Sequence, residues 1–113
     1  MTRPRRIKIG AHWYRVTYVD TIEGRLIGVC YTSAKTIKVR KTLTPRNLAQ
    51  TLLHEVMHAI YYEFGVVNSE QSDKDYAAGM ASEETAVNGL SNGLMQVLVD
   101  NPGFRQFLVK ASC

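Results

Sequence analysis

Apolar and polar positions alternate along the first third of the chain and then change period. Residues 7–19, IKIGAHWYRVTYV, are rich in β-branched and aromatic side chains with partial alternation, which predicts a strand broken at Gly10. Asp20 to Arg25 supply a turn around Glu23 and Gly24. Leu26 to Thr32 then predict a second strand paired with the first, with Ile27, Val29 and Tyr31 on one face. After a short turn at Ser33, Ala34 and Lys35, residues Thr36 to Arg40 alternate strictly. Ile37 and Val39 share one side and Lys38 and Arg40 the other, a half-exposed strand whose charges suit the edge of a sheet.

From Thr44 onward the period is helical. Thr44 can cap the free backbone N–H groups, and Pro45 fits the first helical position, where its missing N–H costs nothing. The helix is expected to run to Phe64 and stop at Gly65. Residues 66–75 read as a polar loop. A second helix is expected from Tyr76 or Ser82 to Val99, stopped by Asp100, Asn101, Pro102 and Gly103. Its apolar residues Met80, Val87, Leu90, Leu94, Val97 and Leu98 recur at three- and four-residue steps and define one buried face. Gly89 and Gly93 on this helix permit close approach of a neighbour. A short third helix, Phe104 to Lys110, presents Phe104, Phe107 and Leu108 to the core. These elements predict a single α+β domain over residues 1–113, in which residues 1–6 form a basic arm and a three-stranded, mostly antiparallel sheet packs on the helices.

Composition narrows the class. The chain has 113 residues, 45% apolar and 21% charged, the balance of a globular domain with one modest core. No run of eighteen apolar residues is present, so no membrane span is expected. The basic N-terminus leads into a strand pattern rather than an apolar signal-peptide core, so the expected location is cytoplasmic. Cys30 and Cys113 form no Cys-x-x-Cys pair, which argues against a cysteine zinc site or a redox motif and leaves Cys30 as a buried free thiol. The net charge of +4, with Arg3, Arg5, Arg6 and Lys8 clustered at the start, admits nucleic acid as a partner without demanding it.

The chemistry centres on His54, Glu55 and His58. On a helix, His54 and His58 lie one turn apart on the same face, where two neutral imidazoles can chelate one metal ion. Glu55 projects beside that face, where its carboxylate can serve a metal-activated water as a base. Two of the three histidines in the chain belong to this motif, and such a constellation arises by chance in roughly a few chains per thousand of this length. A hydrolytic zinc needs a third protein ligand. His12, in the first strand, reads better as a sheet-surface histidine. Glu83 and Glu84 are the stronger candidates, because a carboxylate on an apolar helix face is costly unless a cation compensates it. A helical wheel places Glu83 near the middle of that face and Glu84 at its flank.

The helix TLLHEVMHAIY, followed by EETAVNGLSNGL and DNP, resembles small phage and prophage zinc metallopeptidases of the gluzincin type, and more distantly the ImmA/IrrE and SprT-like groups. The resemblance runs from roughly Ile37 to Pro102. It implies a minimal zincin-like fold, one Zn2+ per chain and hydrolysis of a peptide or protein substrate in the cytoplasm of a bacterial host. It also implies Glu84 as third ligand, since Asn88 and Leu90 stand where the ImmA/IrrE pattern places its polar and apolar partners, with Glu83 as the alternative. The strand before the motif helix, with Ile37, Lys38 and Val39, would be the edge on which an extended peptide aligns. In the implied reaction Glu55 is general base and then general acid. Tyr18, Tyr31, Tyr61, Tyr62 and Tyr76 are unranked candidates for stabilising the oxyanion. Two other readings compete: a zinc-containing phage protein that binds a host factor without turnover, and a DNA-associated protease that uses the basic N-terminus.

Overall fold

A computed structural model describes residues 2–64 and 79–112, except for the side chains of residues 79–83. It is an α+β domain with the order β1 (Arg6–Ile9), β2 (His12–Val19), β3 (Gly28–Tyr31), β4 (Thr36–Arg40), α1 (Pro45–Glu63), α2 (Gly79–Asp100) and α3 (Pro102–Ser112). The expected break at Gly10 is a hairpin turn: Gly10 takes φ +62°, a left-handed conformation that glycine adopts without a Cβ clash, and Ile9 pairs with His12 across it. The arm is tied down along β2. Val16 N–H donates to the Arg5 carbonyl at 2.8 Å, and the Tyr18 hydroxyl donates to the Pro4 carbonyl at 2.6 Å.

The sheet has four strands in the order β1-β2-β4-β3 and is mixed, not three-stranded and antiparallel. β2 pairs with β4 in parallel, from Arg15 opposite Thr36 to Val19 opposite Arg40, and β3 pairs with β4 rather than with β2. Residues 20–27, including a 3-10 turn at Glu23–Arg25, carry the chain past the slot that β4 later fills. The packing explains the order. Ile37 and Val39 of β4 are fully buried, whereas β3 turns only Gly28 and Cys30 inward, so the strand with more apolar area takes the centre. The Thr36–Arg40 strand is therefore internal. Its charges Lys38 and Arg40 mark the uncovered face of the sheet, not its edge, and the expectation that Ile37, Lys38 and Val39 form a substrate-aligning edge is corrected. β3 is the edge on that side.

Helix α1 begins as its sequence dictates, with the Thr44 hydroxyl accepting from Asn47 N–H at 3.4 Å and Pro45 in first position. Leu48, Leu52, Val56, Ala59 and Ile60 recur at helical steps and are almost wholly buried against the sheet. Each large aliphatic among them contributes about 1.5–3 kcal/mol on leaving water. Phe64 closes the helix; Gly65 and the polar stretch 66–75 lie outside the described residues. On α2 the apolar face packs on the core from Leu90 onward, with Val97 fully buried and Leu90, Leu94 and Leu98 partly buried where the helix meets α1, β1 and α3, while Val87 is 50% exposed and does not belong to it. The side chain of Met80 lies outside the described residues. Gly93 is the point of close approach: a Cβ there would lie 2.4 Å from Ile60 Cγ2 and 2.9 Å from Phe64 Cδ2. Phe104 and Phe107 of α3 complete the core. Asn101, between α2 and α3, docks its side-chain amide on β1, accepting from Lys8 N–H at 2.9 Å and donating to the Lys8 carbonyl at 2.8 Å. No helix among the described residues is long and apolar enough to cross a membrane.

Candidate metal centre

The middle of α1 turns one face to the sheet and the other to solvent, and the motif straddles the boundary. His54 and His58 stand on the exposed side with ring centroids 4.8 Å apart and planes at 76°. Their Nε2 atoms approach to 3.1 Å, so that one neutral ring can donate to the other. Glu55 turns inward from the same turn and is 7% exposed. Burial raises its carboxyl above the ordinary range, and the charges of His54 and His58 partly oppose that rise.

What admits Glu55 to this position is a missing side chain on β3. A Cβ at Gly28 would lie 2.6 Å from Thr51 Cγ2 and 3.1 Å from Glu55 Oε2. The helix thus approaches the edge strand closely, and the Glu55 carboxylate lies against the strand backbone. Cys30, two residues on and on the same side of β3, is a free, half-buried thiol whose pKa is raised to about 11, by burial first and then by the neighbouring Glu55 and Glu63 carboxylates. On the outer side of α1, His54, Met57, His58 and Tyr61 join Leu90 of α2 around an open, mainly apolar recess of about 270 Å³.

The donor set fits one half of a metal site. Two imidazole nitrogens bound to one tetrahedral zinc are roughly 3.3 Å apart when each sits ~2.0–2.1 Å from the ion, close to the observed separation. Among the described residues no three His, Cys, Asp or Glu side chains come together as a metal-holding group. Glu84 is exposed on α2, and the side chain of Glu83 lies outside the described residues. His12 stands elsewhere, at the start of β2, with its Nε2 3.6 Å from Glu63 Oε2. Of the tyrosines, Tyr61 lines the recess beside the histidines, Tyr18 is engaged by Pro4, and Tyr76 lies outside the described residues.

A second cluster was not expected from the sequence. Two turns beyond Glu55, the Glu63 carboxylate is 7% exposed and accepts from the Tyr14 hydroxyl at 2.6 Å and from Lys35 Nζ. Burial pushes the Glu63 carboxyl up, but the hydrogen bonds from Lys35 and Tyr14 and the charges of Lys35 and His12 outweigh it and hold the group below its ordinary value. No local pattern joins residues 12, 14, 35 and 63; only the β2–β4 pairing brings them together. In comparisons with known proteins, no family model, curated sequence or solved structure matches the chain, so its function rests on the geometry of its own residues.

Proposed function

We propose that the chain is a zinc-dependent metallopeptidase of minimal zincin-like architecture, acting in the cytoplasm on a peptide or protein substrate. The observation that carries this reading is the 3.1 Å approach of the His54 and His58 Nε2 atoms with Glu55 on the adjoining side of the same turn. Zinc, when bound, would supply Lewis acidity to a carbonyl and to water. His54 and His58 would hold it, with Glu84, or alternatively Glu83, arriving from α2 as third ligand.

The remaining work falls to the chain itself. β3 is the edge strand beside Glu55, so an extended substrate added along Gly28–Tyr31 would run past the carboxylate. This replaces the Thr36–Arg40 strand in that role. The recess lined by Met57, Tyr61 and Leu90 offers an apolar side-chain subsite. Glu55 takes a proton from the attacking water as the new C–O bond forms, and delivers it to the amide nitrogen as the C–N bond breaks. Tyr61, by its place, is the first tyrosine to test for the developing oxyanion.

The deciding experiment combines metal analysis with peptide cleavage. The parent protein is expected to hold about one zinc per chain, and the His54→Ala/His58→Ala variant none. Glu55→Gln is expected to keep metal and fold while losing on the order of 10²-fold or more in cleavage rate. Equal zinc in the double variant overturns the site, and cleavage at the parent rate by Glu55→Gln overturns the assignment of the base.

A further inference from the structure

Helices α1 and α2 pack on one face of the sheet, over Ile7, Ile9, Val16, Ile37 and Val39, and α3 packs against those two helices. The opposite face has no helix on it among the described residues. Strand parity sends every cation of the four strands there: Arg6 and Lys8 from β1, Arg15 from β2, and Lys38 and Arg40 from β4. No Asp or Glu occurs in any strand. The register concentrates the charge, with Arg6 opposite Arg15 and Lys38 in the row beyond.

Two aromatic side chains stand among these cations. Trp13 on β2 is 49% exposed and carries the Arg6 guanidinium over its ring at 4.3 Å, and Tyr31 on β3 is 42% exposed with Lys38 over its ring at 5.6 Å. Trp13, Arg6, Arg15 and Thr36 border an open depression of about 400 Å³. Two polar atoms on this face, Thr17 Oγ1 and Arg40 Nε, are buried and have no hydrogen-bond partner among the described residues.

We propose that this open sheet face binds single-stranded nucleic acid. Phosphates would be met by Arg15, Lys38 and Arg40 and unpaired bases by Trp13 and Tyr31. Aromatic platforms interleaved with cations on a broad sheet surface match unstacked bases, which a duplex does not offer, and the face has no projecting helix to enter a groove. The inference is independent of the hydrolytic reading, because His54, Glu55 and His58 lie on the other side of the sheet.

The chain has one tryptophan, Trp13, so its fluorescence reports on this face alone. The full-length protein would be titrated at low salt with oligo-dT and oligo-U strands about 20 nucleotides long, with a duplex of equal length, and with phosphatidylglycerol vesicles. Single strands are expected to quench Trp13 saturably and to bind at least about tenfold more tightly than the duplex or vesicles. Binding should weaken with added salt. A preference for oligo-dT or oligo-U would assign the source, and either supports the proposal. Followed with a labelled strand, Trp13→Ala is expected to lose about tenfold, with Trp13→Phe restoring most of it. Arg15→Gln/Lys38→Gln, checked for native circular dichroism, is expected to lose about tenfold or more. Glu55→Gln should bind like the parent, which separates this test from that of the hydrolase. Absence of quenching by both single strands, or duplex or vesicle binding as tight as theirs, overturns the proposal.

Discussion

Glu55 and Gly28 are matched across the interface between α1 and the edge strand: the carboxylate occupies space that any larger residue at position 28 would claim, with Oε2 only 3.1 Å from where a Cβ would stand. Gly28→Ala is therefore expected to force α1 and β3 apart, costing about 1–3 kcal/mol in stability and lowering peptide cleavage more than zinc content. Urea unfolding, metal analysis and a cleavage assay on the one variant check all three.

The third ligand separates two adjacent carboxylates. If Glu84 closes the site, Glu84→Ala should weaken zinc affinity by on the order of tenfold or more while Glu83→Ala leaves it close to the parent, and the reverse result assigns Glu83. Competition with a chromogenic chelator gives both constants.

Some of this was legible in the sequence and some was not, for reasons visible in particular residues. The α1 start at Thr44 and Pro45, the break at Gly10 and the His54/His58 pair were legible because each is set within a few residues of chain, although that the break folds β1 back onto β2 was not. Strand neighbours were not, because alternation at Ile37, Lys38, Val39 and Arg40 encodes which face a side chain takes and says nothing of which strand lies alongside. The same limit hid the Glu63 cluster, which exists only because β4 entered beside β2. Val87 kept the helical step of the α2 face but lies beyond the part of α2 that packs, and period alone does not reveal where a neighbouring element ends.

Glu63 gives the fold a pH dependence. Its carboxyl titrates below the ordinary 4.5 in the folded protein, so its contribution is present in full above that unfolded value and is lost as pH falls through the lower folded value. Glu63→Gln should be less stable than the parent by about 1–3 kcal/mol at pH 7, with the difference closing in acid. Thermal unfolding of both proteins between neutral pH and pH 3 measures it.

Cys30 should react slowly. With its pKa raised to about 11, little thiolate exists at pH 8, and iodoacetamide should modify this residue far more slowly in the native protein than in urea. Peptide mapping after timed alkylation distinguishes it from Cys113.

The docking of Asn101 on Lys8 has a consequence for self-association. Its amide satisfies the outward N–H and C=O of Lys8, in the middle of the short strand β1, and so occupies one rim of the sheet much as another strand would. The opposite rim, β3, has no strand beyond it among the described residues. Open-ended stacking of sheets into fibrils needs a donor rim and a different acceptor rim on every molecule, and here one of the two is capped at its centre, at Lys8. Edge pairing through β3 can therefore close into a two-fold dimer or accept one extended guest, and then it stops.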